Sequence, residues 1–94
     1  MKAGSGQLTG CATILNQRGL HARAAAMFVK AAGTFKADTA VSRQGQSVSG
    51  NSIMGLMMLA ASTGCEIEIS CTGVDAQSAL DTLMDLVANK FGED

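Results

Sequence analysis

Residues 8–33, LTGCATILNQRGLHARAAAMFVKAAG, contain a strand pattern, a loop and a helix pattern in succession. Apolar and small residues alternate with polar ones over residues 8–14, which predicts a strand with one buried face. Residues 16–19 are typical of a loop. A helix over about residues 22–33 follows, and we expect Gly33 to cap its end. Its core-facing side chains, at helical spacing, are Ala25, Phe28, Val29 and Ala32.

The only histidine of the chain, His21, lies where this loop meets the helix, and Arg23 follows it closely. The first backbone N–H groups of a helix lack partners within the helix, and the helix dipole makes that end positive. A neutral imidazole is available near pH 7, because its reference pKa is about 6.5. A ring nitrogen can accept a phosphoryl group, and the N–H groups and Arg23 can bind the phosphate oxygens. The alternative for a lone histidine is a surface residue without a role.

The strength of these interactions favours a covalently attached phosphoryl group over a bound free phosphate. A helix terminus contributes about 0.3–1 kcal/mol, and hydrogen bonds to a charged group add about 1.5–3 kcal/mol. Their sum is near the ~4 kcal/mol that corresponds to a millimolar dissociation constant. The sequence has neither a G-x-x-x-x-G-K-[ST] loop nor an H-R-D-type kinase set. We therefore expect no cofactor and no catalytic turnover, and we expect other proteins to donate and accept the group.

Length and composition restrict the remaining classes of function. The 94 residues predict one domain, residues 1–94, with a flexible N-terminal extension over residues 1–6. A net charge of −1 and an aromatic content of 3% argue against nucleic-acid binding. The apolar run at residues 53–61 is too short to insert across a bilayer. We expect a cytoplasmic monomer.

The three cysteines, Cys11, Cys65 and Cys71, show no C-x-x-C spacing. An odd count without paired spacing predicts reduced thiols that are buried or half-buried. We expect no bound metal, although a metal or redox protein that uses these three thiols is a third functional hypothesis.

The second half of the chain predicts a hairpin, a short helix, a strand and a long helix. Strands over residues 35–42 and 46–49 flank the turn pair Gln44-Gly45. Ser52 is the expected N-cap of a helix over residues 53–60, and Asp75 is the expected N-cap of the last helix. Apolar residues support the last two elements, since they alternate with polar residues in the strand and recur at helical spacing in the helix. They are Ile67, Ile69 and Cys71 in the strand, and Ala76, Leu80, Leu83, Val87 and Phe91 in the helix. Residues 92–94 are expected to fray.

The element order is therefore β-α-β-β-α-β-α, an α+β fold. Half-polar strands predict an antiparallel sheet with one face open to water. The helices would cover the other face.

This order resembles the HPr phosphocarrier family, together with the segments Gly19-Leu20-His21-Ala22-Arg23 and Ser52-Ile53-Met54-Gly55-Leu56. The resemblance extends over about residues 8–91. It implies an open-faced β-sandwich with a four-stranded antiparallel sheet and three helices on one face. It also implies a phosphoryl relay from Enzyme I to EIIA-type domains in the bacterial phosphoenolpyruvate-dependent sugar phosphotransferase system.

The resemblance implies a role for each matching residue. His21 would carry the phosphoryl group on one of its ring nitrogens, and Arg23 would bind the phosphate and the partner. Lys30 would contact the donor enzyme, and Ser52 would be a regulatory phosphorylation site for an HPr kinase/phosphorylase. The implied docking patch is Ile53, Met54 and Met57. The alternatives are a solvated Arg23, an ordinary surface Lys30, a Ser52 that only caps its helix, and core packing of the apolar residues.

The chain departs from the family pattern at two positions. Ala24 stands where the family usually has proline, although alanine should preserve the helix because it is the best helix former. Asn51 stands where related sequences often carry lysine, which weakens the expectation of kinase recognition at Ser52. Ala24 also restores a backbone N–H and loosens the entry to the helix, which bears on the choice of partner. The second hypothesis is accordingly a regulatory binding module, a nitrogen-branch or catabolite-regulation paralogue that docks through Ile53, Met54 and Met57.

Overall fold

The computed structural model describes residues 7–93, in which four antiparallel strands form one sheet in the order β1-β4-β2-β3. The strands are β1 (Leu8–Thr13), β2 (Asp38–Arg43), β3 (Gln46–Ser49) and β4 (Glu66–Thr72). The helices are α1 (Ala22–Ala32), α2 (Ile53–Met58) and α3 (Ala76–Ala88), followed by a 3₁₀ turn at Lys90–Gly92. The predicted β-α-β-β-α-β-α order and open antiparallel sheet are confirmed.

The pairing of β4 shows how the sheet separates its two faces. Its register with β1 runs from Leu8 opposite Cys71 to Thr13 opposite Glu66. The alternating side chains Ile67, Ile69 and Cys71 of β4 are buried, whereas Glu66 and Glu68 are exposed. The helices α1 and α3 pack together, and α3 lies against β1 and β4. One face of the sheet therefore holds the core, and the other carries exposed side chains that include Glu66 and Glu68.

The hairpin between β2 and β3 follows the predicted turn chemistry. Gln44 and Gly45 have φ values of 51° and 84°, and Arg43 pairs with Gln46 on either side of them. Two central residues with positive φ are characteristic of a type I′ turn, whose twist matches that of the flanking strands. This prediction is confirmed.

The segment before β2 differs from the prediction. Residues 35–37, expected to begin the strand, lie outside it, because the Lys36 N–H donates to Asp75 Oδ2 at 2.8 Å. The Asp75 N–H donates in return to the Lys36 carbonyl at 3.2 Å. Asp75 is the N-cap residue of α3 as predicted, but its carboxylate binds the segment before β2 and makes no side-chain capping bond to the helix.

Two helices end earlier than expected. The helix predicted over residues 53–60 ends at Met58, since Ala60 has a left-handed φ of 52°. The last helix ends at Ala88, and Phe91 reaches the core from the 3₁₀ turn instead, where it is 2% exposed. Gly33 caps α1 as predicted.

The sequence predicted a flexible extension at one end of the chain and a frayed tail at the other. The predicted extension, residues 1–6, and Asp94 lie outside the described residues. Gly92 and Glu93 do not fray, because Glu93 is hydrogen-bonded. Within residues 7–93 no helix is both long and apolar enough to cross a membrane.

Candidate functional site

The loop before α1 is fixed by the segment that follows α2. Gly19 has a φ of 65°, and a Cβ atom there would lie 2.4 Å from the Ala61 carbonyl oxygen. The Leu20 N–H donates to the same oxygen at 2.9 Å. The Thr63 hydroxyl donates to the Asn16 carbonyl at 2.6 Å. The close approach requires glycine, and it sets where the next residue, His21, enters the helix.

His21 is the N-cap residue of α1, as its place in the sequence predicts. Its backbone is extended, with φ −77° and ψ 179°, and its Nδ1 accepts a hydrogen bond from the Arg23 N–H at 3.3 Å. The side chain is 23% exposed, so a second molecule can reach the ring. Nδ1 therefore faces the unpaired N–H groups of the helix, where an anionic group is favoured.

The other ring nitrogen of His21 is held by a residue from the far end of the chain. Nε2 lies 2.6 Å from Oε2 of Glu93, although the two residues are 72 positions apart. An ionised carboxylate only accepts hydrogen bonds, so Nε2 carries the proton of the neutral ring. Nδ1 is then unprotonated, in agreement with its acceptance of the Arg23 N–H.

Glu93 is itself positioned by a buried amide. The Asn16 side chain is fully buried, and its Nδ2 donates to Glu93 Oε1 at 3.1 Å and to the Gly19 carbonyl at 2.8 Å. The hydrogen bond to His21 is the largest cause that lowers the pKa of Glu93, followed by the bond from Asn16, and the charge of Arg18 adds to it. The carboxylate is therefore ionised at neutral pH.

Two arginines lie beside this carboxylate. Arg18, Arg23, Gln17 and Glu93 line a solvent-open cleft of about 260 Å³. A guanidinium group binds phosphate oxygens through charge-assisted, often bidentate hydrogen bonds. The cleft therefore offers an anionic group two cations beside Glu93, the hydrogen-bond partner of His21.

Ser52 begins α2 in the way that the sequence predicts. Its Oγ accepts the Gly55 N–H at 2.9 Å, and the residue is half-buried. A Cβ atom on Gly55 would lie only 3.0 Å from this oxygen, so the small residue permits the close cap. The helices α1 and α2 pack against each other. The predicted N-cap is confirmed, and its regulatory role stays a prediction.

The predicted docking residues lie on the exposed side of α2. Ile53, Met54 and Met57 are 40%, 74% and 43% exposed, and Met58, which the sequence prediction omitted, is 66% exposed. Leu56 of the same helix is fully buried. We call the four exposed residues the α2 patch. Flexible methionine side chains suit a surface that adapts to several partners.

Arg23 and Lys30 occupy two positions along α1. Both are exposed, and they are seven positions apart, which corresponds to about 10 Å of helix. The structure thus brings Arg23 to the histidine and does not bring Lys30 to it. Ala24 is fully buried, and the helix forms without the family's proline, as expected.

Sequence reasoning missed three residues of this site, Asn16, Arg18 and Glu93. Asn16 and Arg18 stood in the predicted loop, where polar residues are ordinary. Glu93 stood in the tail that we expected to fray. The only signal for Asn16 was its place as a polar residue three positions before the loop glycine, Gly19.

The cysteines do not assemble into a site. Cys71 is buried under the helices, Cys65 is half-buried, and Cys11 is exposed on the open face, contrary to the expectation of burial. Residues 7–93 contain no group of three metal-ligating side chains. The hydrogen bond from Ser62 is the largest cause that lowers the pKa of the Cys65 thiol, with a smaller contribution from Arg43.

One similar solved structure bears on assembly. The Bacillus subtilis catabolite repression protein Crh, described as a domain-swapped dimer, is 43% identical with a TM-score of 0.73. The match covers 79% of this chain and 85% of Crh. A dimer therefore exists among similar proteins, and the monomer expected from the sequence is not confirmed.

The match to known families extends over most of the chain. The family described as "PTS HPr component phosphorylation site" matches residues 8–89. A phosphocarrier protein HPr from Cupriavidus necator is 48% identical over 81 residues, which cover 86% of this chain and 91% of the relative. The HPr crystal structure from Thermoanaerobacter tengcongensis is 39% identical, with a TM-score of 0.85 over 95% of this chain and 98% of that one. The chain belongs to the HPr phosphocarrier family of the bacterial phosphotransferase system.

Proposed function

We propose that this protein carries a phosphoryl group on Nδ1 of His21, from phospho-Enzyme I to a histidine of an EIIA-type domain. It is a stoichiometric intermediate and not a catalyst with turnover. We propose a single domain over residues 1–94 that works as a cytoplasmic monomer. Membership of the phosphocarrier family supports the carrier role. The identities of the donor and the acceptor and the roles of the individual residues go beyond family membership and belong to the proposal.

The observation that carries this proposal is the orientation of the His21 ring. Nδ1 faces the Arg23 N–H at 3.3 Å, while Nε2 is occupied by Glu93 at 2.6 Å. The long contact at Nδ1 is weak, so an incoming phosphorus atom can displace it at little cost. The oxygens of the attached group then meet the first N–H groups of α1 and the guanidinium of Arg23.

Phosphorylation by purified Enzyme I and phosphoenolpyruvate tests the proposal. We expect the intact mass of the wild-type protein to rise by one phosphoryl group. Acid should remove the adduct, because the N–P bond of phosphohistidine is acid-labile. His21→Ala should show no adduct. Wild-type protein without Enzyme I is the control for self-phosphorylation.

Transfer onward is tested with the same phosphorylated protein. Addition of an EIIA domain should move the label to EIIA and return this protein to its unmodified mass. The relay is rejected if the wild type gains no adduct, or if His21→Ala gains the same one.

Ser52 is the proposed regulatory site of the same carrier, as a substrate of an HPr kinase/phosphorylase. A phosphate there would add negative charge at the edge of the α2 patch and would repel acidic partner surfaces. We expect Ser52→Asp to bind Enzyme I more weakly than Ser52→Ala does. Equal affinities in calorimetry would argue against regulation at this position.

A second candidate is a regulatory binding module that acts through the α2 patch. The exposure of Met54 and the likeness to the catabolite repression protein Crh favour it. Met54→Glu and His21→Ala distinguish the two functions in cells. Loss of regulation in Met54→Glu with full regulation in His21→Ala would favour the module, and loss of sugar uptake in His21→Ala would favour the relay.

A further inference from the structure

Glu93 reaches His21 through a sequence of unusual backbone conformations. Lys90, Phe91 and Gly92 all have positive φ, at 58°, 55° and 74°. Residues other than glycine rarely adopt this region, and the surrounding packing must hold them there. Phe91 provides that packing because it is 2% exposed in the core. The chain therefore reverses after α3 and returns Glu93 to the start of α1.

Both carboxylate oxygens of Glu93 are engaged. Oε2 faces Nε2 of His21 at 2.6 Å, and Oε1 accepts from Asn16 Nδ2 at 3.1 Å. The orientation of the Asn16 amide is itself determined, because its nitrogen also donates to the Gly19 carbonyl at 2.8 Å. The carboxylate is thus held in one place by a buried donor, and the imidazole is held by the carboxylate.

We propose that Glu93 is a positioning residue of the phosphoryl relay, which keeps the proton of His21 on Nε2 so that Nδ1 is free to accept and release the phosphoryl group. This inference rests on the proposed function. It assigns to Glu93 the part that an orienting carboxylate plays beside a reactive histidine, where it fixes the tautomer and stabilises the charged ring.

The transfer step balances with the proton left in place. The lone pair of Nδ1 forms the new N–P bond while the N–P bond of the donor histidine breaks, and its electron pair returns to the donor nitrogen. The donor ring leaves as a neutral imidazole because it keeps the proton on its other nitrogen. His21 becomes a phosphoimidazolium whose positive charge lies against Glu93. In the onward transfer the retained proton makes the His21 ring a neutral leaving group.

The charges around the cleft allow a carboxylate beside an incoming phosphoryl group. Glu93 shares the cleft with the guanidinium groups of Arg18 and Arg23. Two positive charges face one negative charge, so the cleft keeps a net attraction for the anionic group. Glu93 approaches the ring from the Nε2 side, which leaves the Nδ1 side to the phosphoryl oxygens.

The ring tautomer in unphosphorylated protein gives the most direct test. Long-range ¹H–¹⁵N NMR at a pH where the ring is neutral should show the Nε2–H tautomer in the wild type. In Glu93→Gln the amide oxygen should accept from Asn16, which leaves the amide nitrogen facing Nε2. We therefore expect this variant to favour the Nδ1–H tautomer, and Glu93→Ala to show a mixture.

Single-turnover phosphorylation connects the tautomer to the relay. Transfer from phospho-Enzyme I to Glu93→Gln should slow by about tenfold or more, as expected when an orienting partner is lost. Glu68→Gln removes the same charge from the open face of the sheet, where Glu68 lies opposite Cys11, and should keep the wild-type tautomer and rate.

The outcomes separate this inference from the proposed function. A wild-type protein that is phosphorylated while both Glu93 variants keep its tautomer or its rate would overturn the role of Glu93 alone. A wild-type protein that Enzyme I does not phosphorylate would overturn the relay, and the inference would fall with it.

Discussion

The helices α1 and α2 pack against each other, and each has its own candidate phosphorylation site as the N-cap. Ser52 accepts from Gly55 at 2.9 Å, three residues ahead, in the geometry of a stabilising cap. His21 accepts from Arg23 at 3.3 Å, only two residues ahead, and its second nitrogen is bound by Glu93. The serine oxygen is committed to the helix, whereas Nδ1 of the histidine is oriented but weakly bonded. The proposed phosphoryl acceptor is thus fixed through Nε2, while its Nδ1 has only the long contact with the Arg23 N–H.

The largest effect on stability is expected where the His21 loop crosses the chain. Gly19→Ala should lower the free energy of unfolding by about 3 kcal/mol, because a left-handed alanine costs about 1–2 kcal/mol and the new Cβ meets the Ala61 carbonyl. Urea unfolding measures it. Gly45→Ala is the matched control, since Gly45 also has positive φ but no atom within 4 Å of the added Cβ. Equal losses in the two variants would show that the Ala61 contact does not hold the loop.

The next effect concerns transfer at the histidine. Arg23→Ala should slow phosphorylation by Enzyme I about tenfold, which corresponds to loss of about 1.5 kcal/mol from hydrogen bonds to a charged group. Stopped-flow quench followed by intact-mass analysis measures the rate. Lys36→Ala removes an exposed positive charge outside the cleft and should leave the rate unchanged. A common decrease in both variants would indicate a loss of general electrostatic attraction.

A smaller effect separates the two caps directly. Ser52→Ala should lower the free energy of unfolding by about 1 kcal/mol and leave phosphorylation at His21 intact. His21→Ala should do the reverse, because its long cap bond contributes little to α1. Thermal unfolding and intact-mass analysis of the two proteins test the pair. A greater stability loss in His21→Ala would make the histidine the structural cap.

The smallest effect is the pH dependence of the Glu93 contact. Since the folded protein lowers the pKa of Glu93, the carboxylate stabilises the fold above the ordinary value of 4.5. That contribution is lost as the pH falls from 4.5 through the lower folded-state pKa. Wild type and Glu93→Gln should therefore differ in stability at neutral pH and converge in acid. A difference that persists in acid would contradict the ionic contact.

The two N-cap residues differ in how far along the chain their partners lie, and this difference explains what the sequence could predict. Ser52 was identified correctly because a cap depends on residues three positions apart, and the strands were identified because alternation is local. Glu93 was missed because its partner is 72 residues away and the route passes through left-handed Lys90 and Phe91. Local preferences do not indicate positive φ in lysine or phenylalanine.

Asp75 is the opposite case, because a local signal was present and a tertiary contact overrode it. It had the residue type and the position of an N-cap, yet its carboxylate binds the Lys36 N–H at 2.8 Å. A backbone donor brought close by the fold competed successfully with the local one. The sequence therefore predicted His21 and Arg23 at the helix start, and tertiary contacts decide which nitrogen of His21 is open.

We propose above all that the phosphoryl group resides on Nδ1 of His21. The most direct test is a ¹⁵N–³¹P correlated spectrum of protein phosphorylated by Enzyme I and phosphoenolpyruvate. We expect coupling of phosphorus to Nδ1 of His21, with Nε2 still protonated beside Glu93. Coupling to Nε2, or phosphorus on any other residue, would contradict it.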